Sequence, residues 1–350
     1  MNQLFPIGSL RAIPVILLCA LLTACAGNPT FPPLGQTTHF PVAVSGAGNP
    51  NYAPIYLARE LGYFADEKLD VDIQVHSAAE ALPLLLKGDL YAFATGPDAG
   101  LLNAMNRDSD TRMVTVMGLP GPGLGCCQIV TRGDLFAAGQ ITKVTDVKGR
   151  TIASPVGINS IVTYQLAKWL DQGGLKLSDV KLAQMGLNDI AAGLAAKRIE
   201  VGYLAVPTLT PLLDNGTVKI VGDFDAVRHG LPSPGLVMGG KMLKEHPEIA
   251  AAFLRAVLRA VDHDLQGNYL ADPRVAAALS KALNLQLERV KTLPLLSFPR
   301  GLPVDAQALD SIQRFFVEGG FTDYKQPIPA ERLVDLRVRS AAEAAVAAMH

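Results

Sequence analysis

The chain has 350 residues, of which 49% are hydrophobic and 18% are charged. Disordered chains combine low hydrophobicity with high net charge, and this chain has neither property, so we expect a folded protein of about two domains. Thirty-one basic residues stand against 32 acidic ones. This balance leaves no basic excess for binding nucleic acid through its phosphates.

Residues 1–24 have the features of a bacterial signal peptide, which is removed before folding. Arg11 is the only charge, and it precedes the apolar run Ala12 to Leu22. Such a run is about 16 Å long as a helix, well short of a hydrocarbon core of about 30 Å. The next residues, Leu22-Thr23-Ala24-Cys25, match a lipobox. We therefore predict lipidation at Cys25; the alternative is an ordinary secretory signal in which Cys25 has no role.

The predicted cleavage and lipidation determine which cysteines remain in the folded part. Residues 25–38 are rich in proline and glycine and are predicted to be a lipid-anchored tether. The folded part then keeps only the adjacent Cys126 and Cys127. Outside the cytoplasm disulfides persist, so we predict a bridge between these neighbours; the alternative is two buried thiols. Adjacent cysteines lack zinc-site spacing, and no metal site is expected.

From residue 40 onward, strand and helix patterns alternate, as in an α/β protein. The first series has predicted strands at 40–44, 69–75, 91–95, 113–119 and 128–132, with helices that end near Gly62 or span 80–86 and 98–107. The second has predicted strands at 151–154, 201–205 and 219–222, a helix that begins near Ser160, and helices at 188–197 and 207–214.

The last part of the chain returns to the first series and is then mostly helical. A strand is predicted at 235–239, followed by helices from His246 and at 273–284, 286–295 and 304–318, and by an alanine-rich helix that is frayed or exposed. Two similar units joined in this way predict two lobes with a cleft between them. Lobe 1 is predicted to comprise residues 39–123 with 233–335, and lobe 2 residues 124–232.

Several short stretches, in this order, carry a resemblance to a known family. They are Ala53-Pro54, Ala58 to Phe64, Leu69 to Ile73, Gly88 to Ala92, Thr95 to Pro97, Asp146 to Ala153 and His246 to Glu248. The chain resembles the periplasmic-binding-protein-like solute receptors of ABC importers, in the nitrate/sulfonate/taurine and thiamine-pyrimidine-precursor branch. The resemblance implies a type II binding-protein fold, in which each α/β lobe is a mixed sheet flanked by helices, with a helical C-terminal region. It also implies a two-stranded hinge, a solute enclosed between the lobes, and delivery to a membrane permease.

Ligand contacts are predicted in the loops that follow the strands, because open α/β sheets bind ligands beyond the carboxyl ends of their strands. Helix N-termini there present N–H groups without helical partners. The candidate residues are Gly46, Gly48, Asn49, Asn51, Tyr52, Thr95, Gly96, Asp98, Gly125, Cys126, Gly157, Asn159, Ser160 and Tyr203. For each glycine loop the alternative is a tight turn, and for the tyrosines it is core packing.

The charged residues of these loops indicate which kind of solute could bind there. They contain no Lys or Arg, but they do contain Asp98. This carboxylate either caps a helix or faces the cleft, where it would favour a cationic group and repel an anion. The stretch Ala205-Val206-Pro207 lacks the Trp and Glu that relatives often carry there, which puts amine binding in doubt. We expect a small neutral organic solute, polar or aromatic.

The resulting hypothesis is a non-catalytic receptor whose closed form binds the solute best. The alternatives are an enzyme on the same fold, of the pyrimidine-precursor or menaquinone-pathway type, or an envelope scaffold or sensor. None of the six His lies in a candidate loop, and no catalytic triad or phosphate-binding loop is present. We expect a lipid-anchored, periplasm-facing monomer that partners an inner-membrane ABC permease, with no cofactor and no nucleic acid.

Overall fold

The computed structural model describes residues 30–107, 110–120, 127–222, 224–227, 231 and 234–349. The predicted signal peptide, Cys25, Gly125 and Cys126 lie outside these residues, so the Cys126–Cys127 bridge stays a prediction. Cys127 itself is buried. Within the described ranges, none of the helices is both long enough and apolar enough to cross a bilayer.

Strands and helices alternate along most of the chain, as the sequence predicts. The strands are β1 (Thr38–Val44), β2 (Leu69–Val75), β3 (Ala92–Thr95), β4 (Arg112–Val116), β5 (Leu119–Pro120), β6 (Cys127–Arg132), β7 (Thr151–Ser154), β8 (Lys181–Gln184), β9 (Val201–Ala205), β10 (Val218–Ile220), β11 (Gly235–Met238) and β12 (Leu296–Ser297). The helices are α1 (Ala53–Glu60), α2 (Tyr63–Asp66), α3 (Ala78–Lys87), α4 (Ala99–Arg107), α5 (Gly133–Ala137), α6 (Ile161–Asp171), α7 (Leu187–Ala195), α8 (Leu209–Asp214), α9 (Gly240–Glu245), α10 (Pro247–Asp264), α11 (Pro273–Leu283), α12 (Leu287–Val290), α13 (Ala306–Glu318), α14 (Ala330–Leu333) and α15 (Arg337–Ala347).

The first lobe is built on a sheet with the order β2-β1-β3-β11-β4. The first three strands are parallel, and β11 is antiparallel to both of its neighbours. From Phe40 to Val44, β1 is buried without interruption, as expected for a central strand covered by helices on both faces.

The second lobe repeats this plan, with the order β8-β7-β9-β6-β10. Here β8, β7 and β9 are parallel, and β6 is antiparallel to β9 and β10. In each sheet the antiparallel strand next to the parallel three lies where the chain passes between lobes: β6 enters lobe 2, and β11 returns to lobe 1. The prediction of two similar α/β lobes with a helical C-terminal region is confirmed.

Helix α10 forms the centre of the first lobe's core. It begins with Pro247 in its first turn, a position where proline needs no N–H partner. The Phe253 ring stacks on Phe40, with 4.3 Å between ring centroids, and on Phe64, with 4.9 Å. Because α10 covers the sheet in this way, the C-terminal helices have a fixed surface on which to pack.

Several elements differ from the sequence-based prediction. The alanine-rich C-terminus is a helix, α15, but its expected exposure is wrong, because it packs on α10 and buries Val338 and Val346. The helix predicted at 286–295 ends at Val290. Residues Leu296–Ser297 form a short strand that pairs with Leu119–Pro120. The strand predicted at 113–119 is therefore two strands, since β4 ends at Val116 and β5 begins at Leu119. The predicted lobe boundaries fall near residues that the structure does not describe and stay predictions.

Candidate functional site

The loop after β3 in lobe 1 lies directly against the loop after β7 in lobe 2. The backbone N–H of Ile161, the first residue of α6, donates a hydrogen bond of 2.6 Å to Oδ1 of Asp98. The N–H of Ala99 donates to the carbonyl of Asn159 at 3.1 Å. Sequence analysis placed both loops at the cleft, and the structure brings them into contact with each other.

Gly96 permits this close approach between the lobes. A Cβ on Gly96 would lie 2.6 Å from Cγ2 of Ile161, which real side chains do not tolerate. Deeper in the same interface, the Tyr164 ring of α6 meets Phe315 of α13 edge-on, with 5.4 Å between centroids. This side of the cleft is therefore closed by direct protein contact.

Asp98 has an electrostatic role that spans the two lobes. The first N–H groups of a helix have no helical partner and carry the positive end of its dipole, so a carboxylate is favoured there. Burial nevertheless raises the pKa of Asp98 to about 6, although the N–H of Ile161 works in the opposite direction. The sequence left two roles open for Asp98, a helix cap or a ligand contact. In the structure Asp98 caps helix α6, which belongs to the opposite lobe.

The loop after β1 is held by its own side chains. The Tyr52 hydroxyl lies 2.5 Å from Oγ of Ser45 and donates to the Ser45 carbonyl at 3.2 Å. Burial raises the pKa of Tyr52 above its usual range, and the charge of Asp98 adds to the rise. Oδ1 of Asn49 accepts from the backbone N–H and the side-chain amide of Asn51, at 3.0 and 2.7 Å. These three candidate residues shape the loop.

The remaining candidates in lobe 2 mostly serve local structure. Ser160 is buried at the start of α6, whereas Asn159 is exposed. The hydroxyl of Thr163 donates to the carbonyl of Gly157 at 3.1 Å, which fixes the turn before the helix. Tyr203 is buried and meets Phe224 edge-on at 5.9 Å, so it packs in the lobe 2 core.

A cavity of about 360 Å³ lies on the other side of the cleft, beside α1. We call it the α1 cavity. It is lined by Val44, Ala47, Gly48, Tyr56, Arg59, Ile73, Val75, Pro207, Ala282, Leu283, Asn284 and Leu285. Among the predicted site residues that the structure describes, Gly48 is the one that lines it. Lobe 2 contributes Pro207, which follows β9, so the cavity lies between the lobes at the carboxyl ends of their strands.

Polar groups at the α1 cavity come from Tyr56 and Arg59 of helix α1 and from Asn284, which follows α11. Nε of Arg59 donates to Oε1 of Glu60 at 3.0 Å, and Nζ of Lys281 lies 2.6 Å from the other oxygen, Oε2. Burial alone would raise the pKa of Glu60, but hydrogen bonds from Lys281 and Arg59 outweigh it and lower the pKa. Burial raises the pKa of Tyr56 to about 12, so its hydroxyl stays protonated. Two cations share one carboxylate, which leaves net positive charge at this edge.

Sequence reasoning missed most of this lining. Leu283 is the last residue of α11, Asn284 and Leu285 belong to the turn that follows it, and no motif there indicates a site. Only the packing of α11 on α1 brings them beside Gly48. Across the residues that the structure describes, no group of His, Cys, Asp and Glu is arranged to hold a metal ion.

Comparisons with known proteins agree with this architecture. The family model described as "NMT1/THI5 like" matches residues 49–267. The riboflavin-binding protein RibY of Chloroflexus aurantiacus is 27% identical over 280 residues, which cover 76% of this chain and 75% of that protein.

Solved structures show the same fold at low sequence identity. The alkanesulfonate-binding protein SsuA of Xanthomonas axonopodis pv. citri, bound to MOPS, has a TM-score of 0.63 at 16% identity, covering 87% of this chain and 100% of that one. The nitrate-binding protein NrtA of Synechocystis PCC 6803 has a TM-score of 0.65 at 12% identity, covering 89% of each chain. The desulfurization enzyme DSZB also matches, with a TM-score of 0.59 at 15% identity, covering 87% of this chain and 98% of that one. The fold thus carries both binding proteins and an enzyme.

Proposed function

This chain belongs to the NMT1/THI5-like family, and from that premise we propose that it is the solute-binding receptor of an ABC importer. In this role it captures a small organic solute between its lobes and delivers it to a membrane permease. Binding proteins with this fold include ones named for alkanesulfonate and nitrate, and a relative is named for riboflavin.

The α1 cavity is the observation that carries this proposal. It lies at the carboxyl edge of the lobe 1 sheet, where open α/β sheets bind ligands, and Pro207 of lobe 2 lines it as well. A solute bound there contacts both lobes only when they are together. Its binding therefore favours the closed form, which is the form a permease must recognise.

The chemistry of the cavity favours binding over catalysis. Catalysis requires an acid, a base or a nucleophile with a pKa suited to its task. Arg59 offers only N–H donors, and the Tyr56 pKa of about 12 makes its hydroxyl a poor acid and base near neutrality. Asp98, whose pKa is raised, already accepts a hydrogen bond from the N-terminus of α6.

We also propose that the receptor is anchored through lipid on Cys25, facing the periplasm. The lipobox Leu22-Thr23-Ala24-Cys25 supports this proposal, and a tether keeps a receptor close to its permease. Intact mass measurement of the full chain, purified from membranes, should show loss of residues 1–24 and addition of a diacylglyceryl group. The Cys25→Ala variant should leave the membrane fraction, and retention of that variant in membranes would contradict lipidation.

Riboflavin is the first solute to test, because of the relative that carries its name. Trp169 is the single tryptophan of the chain and is buried in lobe 2. Its fluorescence should be quenched when a flavin binds nearby, because the flavin absorbs light at the wavelength of tryptophan emission. Native mass spectrometry of the full chain should also detect a retained small molecule. If the chain carries no molecule and binds neither riboflavin, MOPS nor nitrate, the receptor function is refuted.

A further inference from the structure

We propose that residues 31–37 form a strap packed on lobe 1, and that this strap turns the amino-terminal edge of the lobe 1 sheet toward a lipid bilayer. The amino-terminal edge is marked by Thr38 and Leu69, the first residues of β1 and β2. The inference rests on the proposed lipid anchor at Cys25 and adds the orientation of the anchored receptor. The α1 cavity lies at the opposite, carboxyl-terminal edge of the same sheet.

The strap is held by apolar burial and by hydrogen bonds. Leu34 is 9% exposed and belongs to the main hydrophobic core, and Phe31 packs against the same core. Nζ of Lys68 donates a hydrogen bond of 3.1 Å to the carbonyl of Gly35, and the N–H of Thr38 donates to the carbonyl of Lys68 at 2.9 Å. A free tether would leave its apolar side chains in water, so these contacts make the strap a part of the folded lobe.

The strap shortens the chain that joins the lipid to the lobe. From Cys25 to Thr38 a fully extended chain would reach about 45 Å, at about 3.3–3.6 Å per residue. From Cys25 to Thr30, the last residue before the strap, the reach is at most about 18 Å. That is less than the length of β1, whose seven residues extend over about 23 Å. The lobe is therefore kept beside the bilayer, on the side that carries the strap.

The place where the strap meets the lobe selects the edge that faces the lipid. Gly35 lies three residues before β1, and its partner Lys68 directly precedes β2. The strap therefore joins lobe 1 at the amino-terminal edge, and the α1 cavity lies beyond the far ends of the same strands. A short reach from this point favours an amino-terminal edge that faces the bilayer and a cavity that faces the periplasm.

Charge does not by itself hold this edge on a bilayer. Exposed Lys68 and Lys87 precede β2 and β3, but the exposed acids Asp66 and Asp89 lie close to them in the chain. Anionic lipids attract clusters of basic residues, and this mixed edge is not such a cluster. The lipid and the strap therefore set the orientation, and high salt should not disturb it.

Release of the strap would give the receptor a second, longer tether. With the strap docked, the cavity faces the periplasm, which suits capture of a solute. With the strap detached, the reach grows from about 18 to about 45 Å, which lets lobe 1 turn its cavity edge toward a permease in the same bilayer. Detachment requires only the side chains of Phe31 and Leu34 to leave the core. The strap thus separates the orientation for capture from the orientation for delivery.

Limited digestion of the full chain with proteinase K, followed by mass measurement, tests the docking of the strap. The wild type should be trimmed no further than Thr30, because the docked strap resists cleavage. Leu34→Ser should be trimmed to near Thr38, because serine removes the buried apolar contact. Gln36→Ser is the matched control, since Gln36 is an exposed residue of the strap, and it should be trimmed like the wild type. Trimming of the wild type to Thr38 would overturn the strap.

Energy transfer from tryptophan to a dansyl-labelled lipid tests the orientation. The lipidated full chain is placed in vesicles of phosphatidylethanolamine and phosphatidylglycerol, with Trp169→Phe removing the single native tryptophan. Ala65→Trp puts a donor at an exposed position shortly before β2, and Ile158→Trp puts one at an exposed position in the loop after β7. Transfer should be strong from the first donor and close to background from the second, at low and at high salt. Addition of Leu34→Ser should abolish this difference.

The outcomes separate the orientation from the receptor function. Equal transfer from both donors in the chain with the native strap overturns the orientation, and solute binding in native mass spectrometry then shows that the receptor function survives. A chain that does not float with the vesicles has no lipid anchor, and the inference fails with the anchor. A resistant strap and unequal transfer support the inference even if the chain binds none of the solutes tested.

Discussion

The contact between Asp98 and Ile161 allows a quantitative test, because one substitution removes the charge and keeps the hydrogen bond. In Asp98→Asn the side-chain oxygen can still accept from the N–H of Ile161, as Oδ1 does in the wild type at 2.6 Å. The variant lacks only the buried negative charge. Any change in the free energy of unfolding therefore reports the balance between desolvation of the carboxylate and its attraction to the α6 N-terminus.

The expected magnitude follows from the pKa. Burial raises the pKa of Asp98 from 3.8 to about 6, a rise of about 2 units at about 1.4 kcal/mol each, or about 3 kcal/mol. Since the folded pKa is the higher one, the unfolded chain ionises first as the pH rises. The stability contributed by protonated Asp98 is thus complete below about pH 4 and is lost between about pH 4 and pH 6. Tyr52 does not titrate in this range, because its own pKa is raised.

Urea unfolding of the wild type and Asp98→Asn, compared at about pH 4 and about pH 7.5, measures this effect. The variant should match the wild type at the lower pH and exceed its free energy of unfolding by about 2–3 kcal/mol at the higher one. Asp72→Asn, at an exposed position on β2, is the control and should show no such growing difference. If Asp98→Asn is less stable than the wild type at the higher pH, attraction to the helix N-terminus outweighs burial and the reasoning fails.

Three further substitutions test the packing. Gly96→Val should force the lobes apart at Ile161 and increase the radius of gyration in solution scattering; an unchanged radius would contradict the close approach. Phe253→Ala should lower the free energy of unfolding by about 3–5 kcal/mol, measured in urea, because it removes a ring at the centre of the core; a loss under about 1 kcal/mol would show that the core repacks. Glu67→Ala should cost about 3–5 kcal/mol in the same assay, because it leaves Arg255 buried without its 2.6 Å partner, and a negligible loss would show that water reaches Arg255.

Strands with a strong local pattern could be predicted from the sequence, and strands defined by pairing could not. The predicted ranges at 69–75, 151–154 and 201–205 coincide with β2, β7 and β9, because apolar and β-branched residues are concentrated there between turn residues. Strand β8, Lys181–Gln184, was missed. It is short, lies at the sheet edge and is only partly buried, so its strand conformation comes from pairing with β7.

The candidate site shows the same division. The sequence predicts that the loops around Asp98 and Ser160 lie at the cleft, because loops after parallel strands gather at one edge of a sheet. It did not indicate that these loops contact each other, nor that Asp98 caps a helix of the other lobe. It also did not indicate that Leu283 and Leu285 line the cavity, since the end of α11 and the turn after it are remote in the chain from the predicted loops.

The sequence by itself determined the alternating α/β elements, the two similar lobes and the family, because periodicity, turn residues and short motifs are local properties of the chain. Only the tertiary structure decided where the charge of Asp98 is placed and which side chains line the α1 cavity. Both depend on surfaces that meet after folding: α6 against the loop after β3, and α11 against α1. Contacts of this kind depend on how distant segments pack, and no pattern within either segment specifies them.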